Sequence, residues 1–122
     1  MLSVDAFNDF CRSLPCTNYV VQWGGSHVWK VDTKVFAIGG WNEGEYPAVT
    51  FKVSDLAYEI LRDAPGLRPA PYLASRGMKW IQCFEEPGLT DDELKDHIAE
   101  SHRLASLNLT KKRQKELGLN QD

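Results

Sequence analysis

The chain has 122 residues and a mass of 13.8 kDa, with 43% hydrophobic residues, 25% charged residues and a formal net charge of −3. That is the size of one domain with a core of its own, in no need of disulfide or metal staples. The acidic balance excludes a protein coated in basic surface, and no apolar run approaches the ~20 residues that span a bilayer, so a soluble, cytoplasmic protein is expected.

Taken in chain order, Ser3 reads as a helix N-cap with Asp5 in the first turn, where the helix dipole favours an anion. Phe7, Phe10, Cys11 and Leu14 follow helical spacing, and Pro15 ends the run because proline disfavours helical geometry in the residue before it. Cys11, Cys16 and Cys83 are an odd number with no CxxC spacing, which suits reduced thiols better than a disulfide framework or a zinc site. The N-terminus has no basic n-region, so no signal peptide is expected.

Gly24-Gly25-Ser26 marks a turn, and Asp32-Thr33 then reads as the tight loop of a hairpin. That register pairs Val31 with Lys34, Trp29 with Phe36 and His27 with Ile38. It predicts a core face of Trp29, Val31, Phe36 and Ile38, with Val28, Lys30, Val35 and Ala37 opposite. A third strand alternates over Ala48–Val53. Ser54 caps a second helix whose buried stripe is predicted as Leu56, Ala57, Ile60 and Leu61, and Pro65-Gly66 ends it. Consecutive strands packed against helices form an antiparallel α+β pattern, not a βαβ one.

Gly66 to Phe84 is the stretch that gathers aromatic rings with uncompensated positive charge. It carries Arg68, Arg76 and Lys79 with no acidic residue, beside Tyr72 and Trp80. Pro69 and Pro71 confine Ala70–Leu73 to an edge strand or extended loop. Met78–Phe84 reads as a strand apolar on both faces, with Ile81 and Cys83 on one side and Met78, Trp80 and Phe84 on the other. Its second face is therefore covered by a loop or by a partner. The largest residue of such a strand is expected to point inward, so Trp80 is expected to be buried.

Thr90-Asp91-Asp92-Glu93 is a capping box that starts a third helix, with Leu94, Ile98, Ser101 and Ala105 as its buried side. Residues 1–110 are read as a single domain. Residues 111–122, with four cations against two anions, read as a basic tail: a frayed extension of the third helix or a disordered end.

Chemistry-bearing patterns are sparse. His97 and His102 stand five apart, not at the spacing that puts two ligands on one helical face, so no metal is expected. Gly24-Gly25-Ser26-His27 lacks a P-loop lysine and reads as a plain turn, and no nucleophile elbow or Cys–His arrangement is visible. No cofactor and no enzymatic activity are expected. The candidate nucleic-acid-binding residues are Arg68, Arg76, Lys79, Lys111, Lys112 and Arg113 for phosphates, with Tyr72 or Trp80 stacking on bases where exposed.

The segments SLP (Ser13–Pro15), VWKVDTKVFAIGG (Val28–Gly40), VTFKVSDLAYEIL (Val49–Leu61) and PGLRPAPYL (Pro65–Leu73) set a distinctive order and spacing. Lys79-Trp80, TDDELKDHIAESH (Thr90–His102) and LTKK (Leu109–Lys112) continue it. In these segments the chain resembles the MmcQ/YjbR family of small bacterial proteins over residues 3–115, departing from it at Ala74–Met78 and at Ser101-His102. The resemblance implies a two-layer α+β fold, a five-stranded antiparallel sheet with helices on one face in the order α-β-β-β-α-β-β-α, similar to type III secretion chaperones. It also implies a DNA-binding role through a double-wing motif made of hairpin loops. DNA or RNA is therefore one expected partner; a protein client or a second copy of the chain, in a chaperone-like contact role, is the other.

Overall fold

The three side-chain caps expected from the sequence each start a helix in the computed structural model, which describes residues 1–42, 44–73 and 76–121. Ser3 Oγ accepts from the Ala6 N–H to open α1 (Val4–Ser13), and Ser54 Oγ accepts from Ala57 to open α2 (Asp55–Leu61). Thr90 and Glu93 form the reciprocal capping box of α3 (Asp91–Ser106). A fourth cap went unread: Thr110 Oγ1 accepts from Arg113 and starts α4 (Lys111–Leu117), which Gly118 closes at φ +71°. The basic tail is thus a short helix of its own. It buries Gln114 and Leu119, and Arg113 ties it to Asp32 at 2.9 Å.

The strands are β1 (Thr17–Gln22), β2 (Ser26–Val31), β3 (Lys34–Gly39), β4 (Val49–Lys52), β5 (Leu67–Pro69) and β6 (Trp80–Cys83). They form one antiparallel open sheet in the order β1-β2-β3-β4-β6-β5. The sheet has six strands, not five. β1 was not anticipated, because most of its side chains are exposed and it shows no alternation. β5 lies at 67–69, just before the Ala70–Leu73 segment expected to hold it.

The β2–β3 hairpin keeps Val31 opposite Lys34 but not the rest of the expected register. Trp29 pairs with Ala37 and Lys30 with Val35, so Phe36 is the extra residue of a β-bulge. The bulge leaves Phe36 and Ala37 both in the helix-side core and turns Ile38 to the opposite face, where it pairs with Val28. The Phe36 carbonyl, out of the ladder, accepts from Ser101 Oγ at 2.6 Å, and Ser101 in turn accepts from the Lys52 N–H at 2.8 Å. One small hydroxyl in the buried stripe of α3 therefore keys the helix to the irregular point of the sheet.

The core lies between the sheet and the helices. Phe7 and Cys11 of α1 and Leu94, Ile98 and Ala105 of α3 pack with Trp29, Val31, Phe36, Val49, Phe51, Ile81 and Cys83. α2 enters by Ala57, Tyr58 and Leu61. Leu56 and Ile60, expected in its buried stripe, are 72% and 65% exposed. The helix is only seven residues long and is rotated so that Tyr58 packs inward, with Lys79 Nζ 4.6 Å above its ring. Among the described residues no helix is long and apolar enough to cross a membrane.

Both histidines of α3 are structural. The His102 ring meets Phe36 edge-on at 5.1 Å and its Nε2–H donates to the Pro15 carbonyl at 2.8 Å, while His97 stacks on Phe51 at 5.3 Å. Burial holds both imidazoles below their ordinary pKa, against the carboxylates beside His97 and the Pro15 hydrogen bond to His102. The unfolded chain therefore takes up protons near pH 6.5 that the folded chain refuses, and stability present above that pH is lost as pH falls through it. The unfolding midpoint is expected to drop between about pH 7.5 and about pH 5.5, and to drop less in His102→Gln. Equal midpoints at the two pH values would refute this.

Candidate nucleic-acid interface

The face of the sheet away from the core carries a continuous cross-strand row: Val20, Val28, Ile38, Thr50, Gln82 and Arg68. It is apolar toward β1 and polar toward β5. At the polar end Gln82, fully buried, is bonded on both sides of its amide. Its Nε2 donates to the Trp41 carbonyl at 2.8 Å and to Thr50 Oγ1 at 3.1 Å, and its Oε1 accepts from Arg68 Nε at 2.9 Å and Nη2 at 2.7 Å. The second face of β6, which the sequence left to a loop or a partner, is thus met at Gln82 by the chain's own Trp41.

Arg68 is half-buried and held in place. Its guanidinium lies 4.2 Å from the Phe84 ring, and two of its five N–H groups point at Gln82. A planar cation fixed by a buried amide and stacked on a ring is pre-organised to present its other donors to an oxyanion. It lines a cleft of about 640 Å³ whose walls include Trp23, Trp41, Tyr46, Tyr72 and Phe84. Trp23 and Trp41 have ring centroids 5.6 Å apart, and Trp41 and Tyr72 are 5.8 Å apart, both pairs tilted by 36°. Tyr72 is 74% exposed and Trp23 51%.

Two of these rings stand on unusual backbone. Trp23 has φ +54° and Tyr72 φ +68°, a region that bulky L-residues seldom enter and that costs of order 1–3 kcal/mol. Strain of this kind, placed at exposed aromatics around a cleft, is a pointer to function. Glu45 and Glu85 also line the cleft and temper its positive potential. Burial, together with Cys83 and Glu86, pushes the Tyr46 phenol up to about 12, so it stays protonated. The Cys11 thiol is raised further still by burial in the core, which leaves it unreactive.

Of the residues singled out from the sequence, the fold brings Arg68 and Tyr72 together in the cleft. Arg76 is exposed on the segment leading from Tyr72 to β6. Lys79 is directed to the Tyr58 ring, and Trp80 is buried at 4% exposure, pairing with Lys52 on the second face of the sheet. Lys111, Lys112 and Arg113 lie on α4, beside the β2–β3 turn and away from β5 and β6, and Arg113 is engaged by Asp32. Its guanidinium holds the Asp32 carboxyl below the usual carboxylate range. The sequence reading missed Trp23, Trp41, Gln82 and Phe84. A usable signal was the mirrored pair Trp23-Gly24-Gly25 and Gly39-Gly40-Trp41, which sets a tryptophan at each of two glycine turns.

A family model described as YjbR matches residues 12–104. The chain belongs to the YjbR family. The expected resemblance therefore holds over most of this YjbR chain, and solved structures reproduce its fold. A crystal structure of the Deinococcus radiodurans protein DR2400, described by the family-model domain DUF419, is 23% identical, with a TM-score of 0.82 over 98% of this chain and 90% of that one. A Pseudomonas syringae protein, structural-genomics target PsR293, is 21% identical, with a TM-score of 0.66 over 84% of this chain and 98% of that one. At these identities the likeness is one of fold. No curated protein matches the chain.

Proposed function

We propose that this YjbR domain is a non-enzymatic, cytoplasmic nucleic-acid-binding module that holds a single strand weakly, with the Trp23–Trp41–Tyr72 rings under the bases and Arg68 on a phosphate. The observation that carries the proposal is the ladder of partly exposed rings beside a pre-organised arginine. Every base has a π-face, so such a ladder binds with little sequence preference, and the cation adds a counterion-release term. Arg76, exposed ahead of β6, offers a further phosphate contact, and Lys111 and Lys112 a separate one on α4. The net charge of −3 and the nearby Glu45 and Glu85 keep the affinity modest. Three free thiols suit a reducing compartment.

Fluorescence anisotropy with mixed-sequence single-stranded DNA and RNA at low salt tests the reading. Binding is expected to weaken with salt at a log–log slope of about −0.7 per phosphate contacted. Tyr72→Ala is expected to weaken it by about 1–3 kcal/mol, the usual loss of one stacked base. The same change should leave the unfolding midpoint in place, because the ring is largely in solvent. No binding at near-millimolar oligonucleotide removes the proposal. The second reading, a protein-contact module, is favoured by the bare edge of β1, which does not line the cleft.

A further inference from the structure

The two edges of the sheet are unlike. β5 is three residues long and ends in Pro69, a short edge of the kind that resists strand addition. β1 is six residues long, contains no charge and no proline, and leaves Tyr19 at 40%, Val20 at 37% and Val21 at 52% exposure. None of the usual devices that protect an edge strand is present in β1 itself.

The hydrogen-bond phase of this edge is fixed. The Asp32 N–H donates to the Cys16 carbonyl at 3.0 Å, one step beyond the Thr17–Val31 pair. Bonded pairs alternate along an antiparallel ladder, so Asn18, Val20 and Gln22 spend their backbone groups on β2, and Thr17, Tyr19 and Val21 turn theirs to the open side. The residue order is also self-complementary. Asn18-Tyr19-Val20-Val21-Gln22 runs amide, apolar, Val, apolar, amide, symmetric about Val20.

We infer that β1 is the docking edge for a second copy of this chain, paired antiparallel across a two-fold axis through Val20. In that register Tyr19 and Val21 of the second copy exchange backbone bonds. The amides of Asn18 and Gln22 face each other, and Val20 meets its own counterpart. An axis through Tyr19 instead sets Asn18 against Val20 and Thr17 against Val21, polar against apolar, and is less well matched. No like charges oppose each other in β1, which is what self-pairing requires. Because opposed residues point to one side, the two sheets join into a twelve-stranded sheet. Both copies of the Arg68 cleft then lie on the same face. A single strand pair buries less than the roughly 1,200 Å² of a stable interface, so the dimer is weak and concentration-dependent.

Light scattering on the full chain, from about 10 μM to about 1 mM, should show the mass rising from 13.8 kDa toward twice that value. Val20→Lys sets two lysines face to face and should hold the mass at 13.8 kDa throughout. Val20→Glu should do the same, and an equimolar mixture of the two variants should restore the dimer. Amide exchange in the wild type serves where either variant fails to fold: the Tyr19 and Val21 N–H groups should slow by about tenfold at the top of the series. A wild-type chain monomeric at about 1 mM overturns the inference and leaves the edge to a strand from another protein. So does a Val20→Lys dimer of wild-type strength, or a mixture that stays monomeric.

Discussion

Trp80→Ala is expected to lower the unfolding free energy by about 3–5 kcal/mol, the usual loss for a deleted buried aromatic. The ring is 4% exposed on β6, a strand hydrogen-bonded on both sides, and Lys52 Nζ lies 5.9 Å from its centroid. Against the 5–15 kcal/mol typical of a whole domain, roughly a fifth or more of the stability is at stake. Trp80→Phe should cost less, because the indole N–H has no hydrogen-bond partner among the described residues, and its removal breaks no bond there. Under conditions where the variant remains folded, oligonucleotide affinity should be unchanged, since Trp80 does not line the cleft. Urea unfolding of the three proteins side by side measures this. A Trp80→Ala midpoint within error of wild type would mean that burial of the ring on the second face of the sheet contributes nothing to stability.

Gly66→Ala is expected to be comparably damaging, for a backbone reason. Gly66 has φ +83°, and a Cβ built there would overlap the Glu85 carbonyl oxygen and the Gly88 nitrogen and stand 2.8 Å from the Gly88 Cα. None of these is a side-chain end that can swing away. The two loops are also tied together, Phe84 N–H to the Gly66 carbonyl at 3.0 Å and Gly88 N–H to the Pro65 carbonyl at 3.1 Å. Left-handed strain and overpacking, each of order 1–3 kcal/mol, add to about 2–6 kcal/mol. Forcing the loops apart also shifts β5 against β6 and takes Arg68 off Gln82, so binding should fall as well. Gly24→Ala is the control. Its φ is +76° but nothing lies within 4 Å, so only the conformational cost of about 1 kcal/mol applies. Equal midpoints for the two variants would refute the steric account.

What could be read from the sequence was local chemistry. Ser3, Ser54 and the Thr90–Glu93 box each start the helix they announce, and Leu94, Ile98, Ser101 and Ala105 are buried as their spacing requires. What failed depended on tertiary geometry. A one-residue bulge at Phe36 reversed the face of Ile38, and no pattern in HVWKVDTKVFAI reveals it. α2 is too short for its stripe to dictate its rotation, so packing of Tyr58 decides. The lysine-rich composition of 111–122 hid a Thr110 cap and a Gly118 stop. The cleft was only half legible, because Trp23, Trp41, Arg68 and Gln82 come from four separate segments and meet only once the sheet is assembled.

The Thr50–Gln82–Arg68 row also distinguishes the observed strand order from its simplest competitor. β6 is the later strand, yet it inserts between β4 and β5, so the nascent sheet has a simpler competitor in which β5 joins β4 directly. In that competitor Gln82 would lie at the edge, with Arg68 on one side but without Thr50 on the other. A buried amide that requires a neighbour on each side singles out one of the two orders, which hydrophobic side chains alone, interchangeable between Leu67 and Ile81, do not.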